Sequence, residues 1–175
     1  MEKYSSTSSV LNLISFGEEL VLGPLVGQRT IANAKDIFQS GIGNDFINWG
    51  LDKPGIATPK IFPQVHEIAS DADLLGIFTA LPGTREQKWL SQDQVIEFCD
   101  KYANWLRPDG HQTLFLCKKD ETRLINGNKL ADNLIVVKIR VLSDGLFVNV
   151  LKPEDYLFWQ GEYRHRVVSP GLLAV

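Results

Sequence analysis

Histidine and cysteine are scarce in this chain, three of one and two of the other among 175 residues. Cys99 and Cys117 are too few for a disulfide scaffold and have no CxxC spacing, so two buried free thiols are expected, without zinc or redox chemistry. His66, His111 and His165 stand far apart, and His66-Glu67 lacks the second histidine of a helical zinc motif. Metal ligands must converge at such spacings, so neither a metal nor any other cofactor is predicted. A basic excess is missing too. The 18 Lys and Arg are outnumbered by 21 Asp and Glu, net -3, which argues against a dedicated nucleic-acid binder. The imbalance runs along the chain: residues 112–175 hold nine basic and seven acidic side chains, net +2, and residues 1–111 hold nine and fourteen, net -5. An anionic ligand would favour the C-terminal part.

Targeting and phosphate-binding signals are absent as well. No apolar run nears the length of a membrane span, and the N-terminal region combines a short apolar stretch from Val10 to Ile14 with acidic Glu18 and Glu19, unlike an export signal. A cytoplasmic protein with no membrane contact is expected. Gly23-Pro24-Leu25-Val26-Gly27 is not followed by Gly-Lys-Ser/Thr, and Gly41-Ile42-Gly43 lacks a third glycine, so both read as turns.

With 44% hydrophobic residues the chain can bury one core and is marginal for two. Residues 10–175 are therefore read as a single domain behind a polar, serine-rich, flexible segment, residues 1–9. Residues 10–22 suit a strand or a short helix equally. Thr30 can cap a helix through Ser40, with Ile31, Ala34, Ile37 and Phe38 on one side and Gly41 and Gly43 ending it. Three prolines and a glycine make residues 52–63 an irregular connection, after which residues 64–68 suit a short strand. Ser70 and Asp73 form a box that can open a helix carrying Leu74, Leu75, Ile77 and Phe78, closed by Pro82-Gly83. The best-specified helix begins at Ser91: Ser91 and Gln94 make a capping box, and Leu90 and Val95 occupy the positions of a hydrophobic staple. Its stripe of Val95, Cys99, Tyr102 and Leu106, widened by Ile96, Phe98 and Trp105, implies deep packing. Pro108-Asp109-Gly110 then turns the chain into a strand over residues 112–118.

Residues 134–151, LIVVKIRVLSDGLFVNVL, carry the strongest local signal, two strand-like runs around Asp144-Gly145. Such a pair suits a type I′ turn, which needs φ > 0 at both positions. A turn there sets Val141 opposite Val148 and Ile139 opposite Val150. Ile135, Val137, Ile139, Val141, Leu146, Val148 and Val150 then form an apolar face that must be core. The other face holds Lys138, Arg140, Leu142, Phe147, Asn149 and Leu151, a mixture that suits solvent, a second layer or a partner. With a last strand over residues 163–168, the expected class is α+β: an antiparallel β-sheet from the C-terminal half packed against helices from the N-terminal half.

The dispersed set Arg29-Thr30-Ile31-Ala32, Asp45-Phe46, Trp49-Gly50, Phe98-Cys99, Trp105-Leu106, Gly145-Leu146 and Tyr163-Arg164-His165-Arg166-Val167-Val168 resembles a group of uncharacterised proteins from candidate-phyla bacteria. The resemblance spans residues 29–172. It implies a small bacterial protein and brings no activity, ligand or catalytic residue with it.

Catalytic motifs are sparse. Cys99 on a helix stripe and Cys117 in a strand are placed for burial, which suppresses thiol reactivity, and no G-x-S-x-G elbow occurs. Asp120, Glu121, Glu154 and Asp155 sit in polar connections where solvated charge is the ordinary explanation. The remaining chemical cluster is Arg164, His165 and Arg166. On a strand, the two arginines share one face and the imbidazole the other; forked guanidiniums can hold phosphate or carboxylate, and an imidazole can move protons. The alternative is a solvated edge whose arginines pair with Glu154, Asp155 or Glu162. Two functions are therefore carried forward. One is a binding protein that meets a protein partner or a second copy through Leu142, Phe147, Leu151 and Trp159, if these are exposed together as one patch; for Trp159, packing in the core is the favoured reading. The other is a metal-independent RNA-processing enzyme built on Arg164, His165 and Arg166.

Overall fold

The computed structural model describes residues 9–118, 134–152, 155 and 157–171. The flexible segment expected over residues 1–9, apart from Ser9, and the polar excursion containing Asn126-Gly127 lie outside them. In chain order the strands are β1 (Leu11–Leu13), β2 (Gly41–Ile42), β3 (Gln64–Ile68), β4 (Ala72–Asp73), β5 (Gln112–Lys118), β6 (Leu134–Leu142), β7 (Gly145–Leu151), β8 (Phe158–Trp159) and β9 (Arg166–Ser169). The helices are α1 (Asp45–Asn48), α2 (Leu74–Ala80) and α3 (Gln92–Lys101).

Seven strands form one sheet in the order β1-β3-β9-β5-β6-β7-β2, and β4 pairs separately with β8. The class is α+β, with two corrections to the expected arrangement. The sheet is mixed, since β5 runs parallel to β9 and β2 parallel to β7. It also recruits β1, β2 and β3 from the N-terminal part, and a 3-10 turn at Gly161–Tyr163 adds helical structure to the C-terminal half. The physical reason is long-range: β9 enters between β3 and β5, a pairing that local patterning does not encode.

Each face of the sheet has its own core. On one, Phe115, Cys117, Ile135, Val137, Ile139, Val148, Val150 and Val168 pack against α3 residues Val95, Ile96, Phe98 and Cys99. On the other, Leu114, Leu116, Val136, Val167 and Ile68 pack with α2 residues Leu74, Ile77 and Phe78. Strand alternation sends neighbours such as Leu114 and Phe115 to opposite sides, so the central strand β5 is buried on both.

The capping box of α3 forms as expected: the Gln94 N–H donates to Ser91 Oγ at 3.2 Å and the Ser91 N–H to Gln94 Oε1 at 2.9 Å. Leu90 and Val95 are fully buried beside it. The helix stops at Lys101, however, and a 3-10 turn over Ala103–Trp105 carries the chain to Leu106, which is buried outside the helix. Two buried side chains of the first turn reach back to the N-terminal segment: Gln92 Oε1 accepts the Ile31 N–H at 3.0 Å, and Asp93 Oδ2 accepts the Gly27 N–H at 2.9 Å.

That tethered segment departs from the expected helix. Only Ile31–Asn33 makes a 3-10 turn, and the Thr30 hydroxyl accepts from the Asn33 side chain instead of a backbone N–H. Tertiary pairing prevails over the helical pattern because Gly41 and Ile42 lie along β7, with the Ser40 N–H donating to Leu146 O at 3.1 Å. Ile31, Ala34 and Phe38 are buried all the same. In α2 the cap is Asp73, whose Oδ1 accepts the Gly76 N–H at 2.7 Å.

The β6–β7 hairpin forms with a different register. Val141 faces Leu146, Ile139 faces Val148 and Val137 faces Val150, so Ser143 and Asp144 make the turn and Leu142 pairs with Gly145. A shift of two residues leaves every side chain on its expected face. Positive φ falls on Gly145 alone, at 134°. Residues 39 and 40 press on this turn: a Cβ added at Gly145 would stand 3.0 Å from that of Gln39, and the Ser40 hydroxyl bonds the Asp144 carboxylate.

Candidate functional site

The strand expected over residues 163–168 begins only at Arg166. Tyr163 closes the 3-10 turn and Arg164 takes the left-handed conformation, φ 48° and ψ 45°, which removes it from the ladder. The two arginines nevertheless converge on Glu67 of β3, Arg164 Nη1 and Arg166 Nε each lying 3.9 Å from a carboxylate oxygen. Neither ion pair goes to Asp155 or Glu162, and Glu154 lies outside the described residues. Arg166 Nη1 also donates to Trp105 O at 2.9 Å and Leu106 O at 3.2 Å, so this guanidinium satisfies carbonyls at the turn that follows α3.

His165 points to the opposite face and is buried. Its Nδ1 accepts the Gln112 backbone N–H at 3.0 Å. Trp159 meets the ring edge-on at 4.9 Å between centroids, and His111 does so at 5.4 Å while stacking on Tyr163. Burial, then the neighbouring His111 and Arg107, pushes the His165 pKa down to about 4. The ring is therefore neutral at pH 7, and the nitrogen that would take a proton already accepts one hydrogen bond. A general base works best with a pKa near the operating pH, which His165 lacks. The arginines and the imidazole also take different partners, Glu67 for the two guanidiniums and the Gln112 N–H for the ring.

Other reactive groups are likewise withdrawn. Among the described residues no three His, Cys, Asp or Glu side chains gather as a metal site. Burial pushes both thiols up, Cys117 to about 12. His66 is buried with Nδ1 unpartnered, and burial lowers its pKa.

The expected partner patch divides. Trp159 is only 5% exposed and belongs to the core beneath α2, so its place in an exposed patch is corrected in favour of packing. Leu151 is half-buried against that same core. Leu142 and Phe147 remain half-buried on the outer face of the hairpin with Lys138, Arg140 and Asn149. Cross-strand pairing makes two rows there, Gln112–Arg140–Phe147 and Leu114–Lys138–Asn149. The Arg140 guanidinium lies 5.2 Å from the Phe147 ring centroid. Neither Lys138 nor Arg140 is paired with a carboxylate among the described residues. Burial, and the charge of Arg140, lower the Lys138 pKa. Strand alternation in the sequence places both cations on this face but gives them no role; the signal for one is that Asp144, at the tip, is the only acidic residue in 134–151.

No protein-family model matches the chain, and neither a curated protein nor a solved structure gives a match. Fold and side-chain geometry alone define the molecule at this point: an α+β protein with a mixed sheet, one of whose outer corners is only half-covered. No helix among the described residues is long and apolar enough to cross a membrane.

Proposed function

We propose that the protein acts by binding, through the outer face of β6 and β7, and that a partner protein or a second copy covers Leu142 and Phe147 there. The observation that carries this reading is the contrast between the two candidate sites. At the first, Arg164 and Arg166 meet Glu67 and His165 is engaged by Gln112. At the second, Leu142 and Phe147 stand half-buried beside two cations, Lys138 and Arg140, that meet no carboxylate among the described residues. The reading takes the protein to work in the cytoplasm of a bacterium, where free thiols such as Cys99 and Cys117 persist.

Phe147→Ala with Leu142→Ser tests it. The double variant keeps its unfolding midpoint within the small change typical of surface sites and loses association with partner or self, read by sedimentation and cross-linking. Retained association would remove the hairpin from the interface. Cleavage of RNA by pure protein, lost in His165→Ala at unchanged stability, would overturn the binding reading in favour of the enzyme.

A further inference from the structure

We infer that the surface meeting the outer face of β6 and β7 is acidic and belongs to a different protein, not to a second copy of this chain. The inference rests on the outer-face reading and deepens it. Lys138 and Arg140 are two residues apart on one strand, so their side chains rise from the same face with Cα atoms about 7 Å apart. Neighbouring cations repel, and half-burial removes part of the water that would screen them. Their cross-strand neighbours Leu114, Asn149, Phe147 and Gln112 carry no charge. Asp144, the acidic residue nearest in sequence, is at the turn and bonded by Ser40. A partner carboxylate laid between the two cations relieves their repulsion, and the apolar body of Phe147 with Leu142 beside them supplies area to bury.

Self-association centred on this face is disfavoured by symmetry. A two-fold axis passing through the patch would bring two Lys138–Arg140 pairs together with no anion between them. A single-stranded nucleic acid is the other anionic candidate, and two observations disfavour it. Phe147 is the one aromatic residue on the hairpin's outer face, and it is already stacked by Arg140, whereas such sites present free rings to successive bases. The net charge of -3 also repels a polyanion at long range, while a local acidic patch on a folded protein feels mainly the two nearby cations.

The test uses the full chain, isotope-labelled, with three probes: a short peptide alternating Glu and Val, one alternating Lys and Val, and a short oligouridylate. The acidic peptide is expected to shift backbone amides of β6 and β7, and Lys138→Gln with Arg140→Gln to weaken it about tenfold. The reversal Lys138→Glu with Arg140→Glu should transfer preference to the Lys-Val peptide, a switch that mere loss of folding cannot produce. Circular dichroism checks that both variants keep the parent fold. If the Lys-Val peptide or the oligouridylate binds these strands more tightly than the acidic peptide, the inference falls while the outer face stands as a binding surface. If none of the probes moves an amide of β6 or β7, both fall. A concentration-dependent dimer broken by the charge-neutral pair would also overturn the exclusion of a second copy.

Discussion

The Nδ1 atom of His165 accepts a hydrogen bond from the backbone N–H of Gln112, 3.0 Å away, across the seam between β9 and β5. The ring is thereby a structural acceptor at the point where two distant parts of the chain meet.

Acid should unpick that seam. The folded-state pKa of His165, about 4, lies below its ordinary value of 6.5, and burial lowers His66 in the same direction. The His165 ring stays neutral in the folded state, so its contribution is complete above pH 6.5 and drains away as pH falls towards 4, where the unfolded chain binds a proton that the folded one refuses; His66 acts in the same sense. The loss from His165 is roughly 1–3 kcal/mol. Denaturant titrations at several pH values, on the parent and on His165→Gln, measure it. An equally steep acid loss in the variant would show that this ring is not responsible.

The capping box and the residue beyond the helix should rank differently. Ser91→Ala leaves an α3 N–H without its partner, at a cost of about 0.5–2 kcal/mol. Leu106→Ala empties a site that is only 2% exposed, at about 2–5 kcal/mol. Equal, negligible losses in urea unfolding would mean that neither contact matters.

Two glycines with similar backbone angles should respond unequally to alanine. Gly27 has φ +78° and Gly110 φ +72°, but an added Cβ would stand 2.1 Å from Ile56 O at the first and meets nothing within 4 Å at the second. Gly110→Ala should cost about 1–2 kcal/mol for the left-handed conformation alone. Gly27→Ala adds a collision with backbone, worth about 1–3 kcal/mol more. Comparable midpoints in thermal unfolding would refute the close approach of residues 27 and 56.

The thiols should be silent in the folded state. Cys99 and Cys117 are buried and held protonated, so a water-soluble disulfide reagent at pH 8 should label neither until denaturant is added, and then both. Rapid labelling of the native protein would place a thiol at the surface.

Short-range signals in the chain were legible where one contact decides them. Ser91 and Gln94 need only each other, and residues 112–118 form β5 over the expected span. The two Asp-Gly pairs show where this stops. Asp109-Gly110, read simply as a turn, adopts positive φ at both residues, 62° and 72°, and the His111 N–H returns to Pro108 O. Asp144-Gly145, read as that same turn type, yields to the segment at residues 39–43 that packs beside it. The candidate site was less legible because its decisive partners are remote. Glu67 lies about a hundred positions from the arginines that it pairs with, and no local pattern announces that a backbone N–H will occupy His165. Burial of Trp159 agrees with the core packing favoured for it, but the α2 side chains that share its cluster come from a distant part of the chain.

β9 is the last strand in chain order among the described residues, yet it sits in the interior of the sheet between β3 and β5. Until residues 166–169 dock there, the folding chain holds two partial sheets, β1–β3 and β5–β6–β7–β2, with nothing to join them. Each carries an unsatisfied edge for that interval, open to a chaperone or to a neighbouring nascent chain. A chain cut before residue 166 would make the interval permanent and stay exposed to proteases along the two edges that β9 otherwise closes.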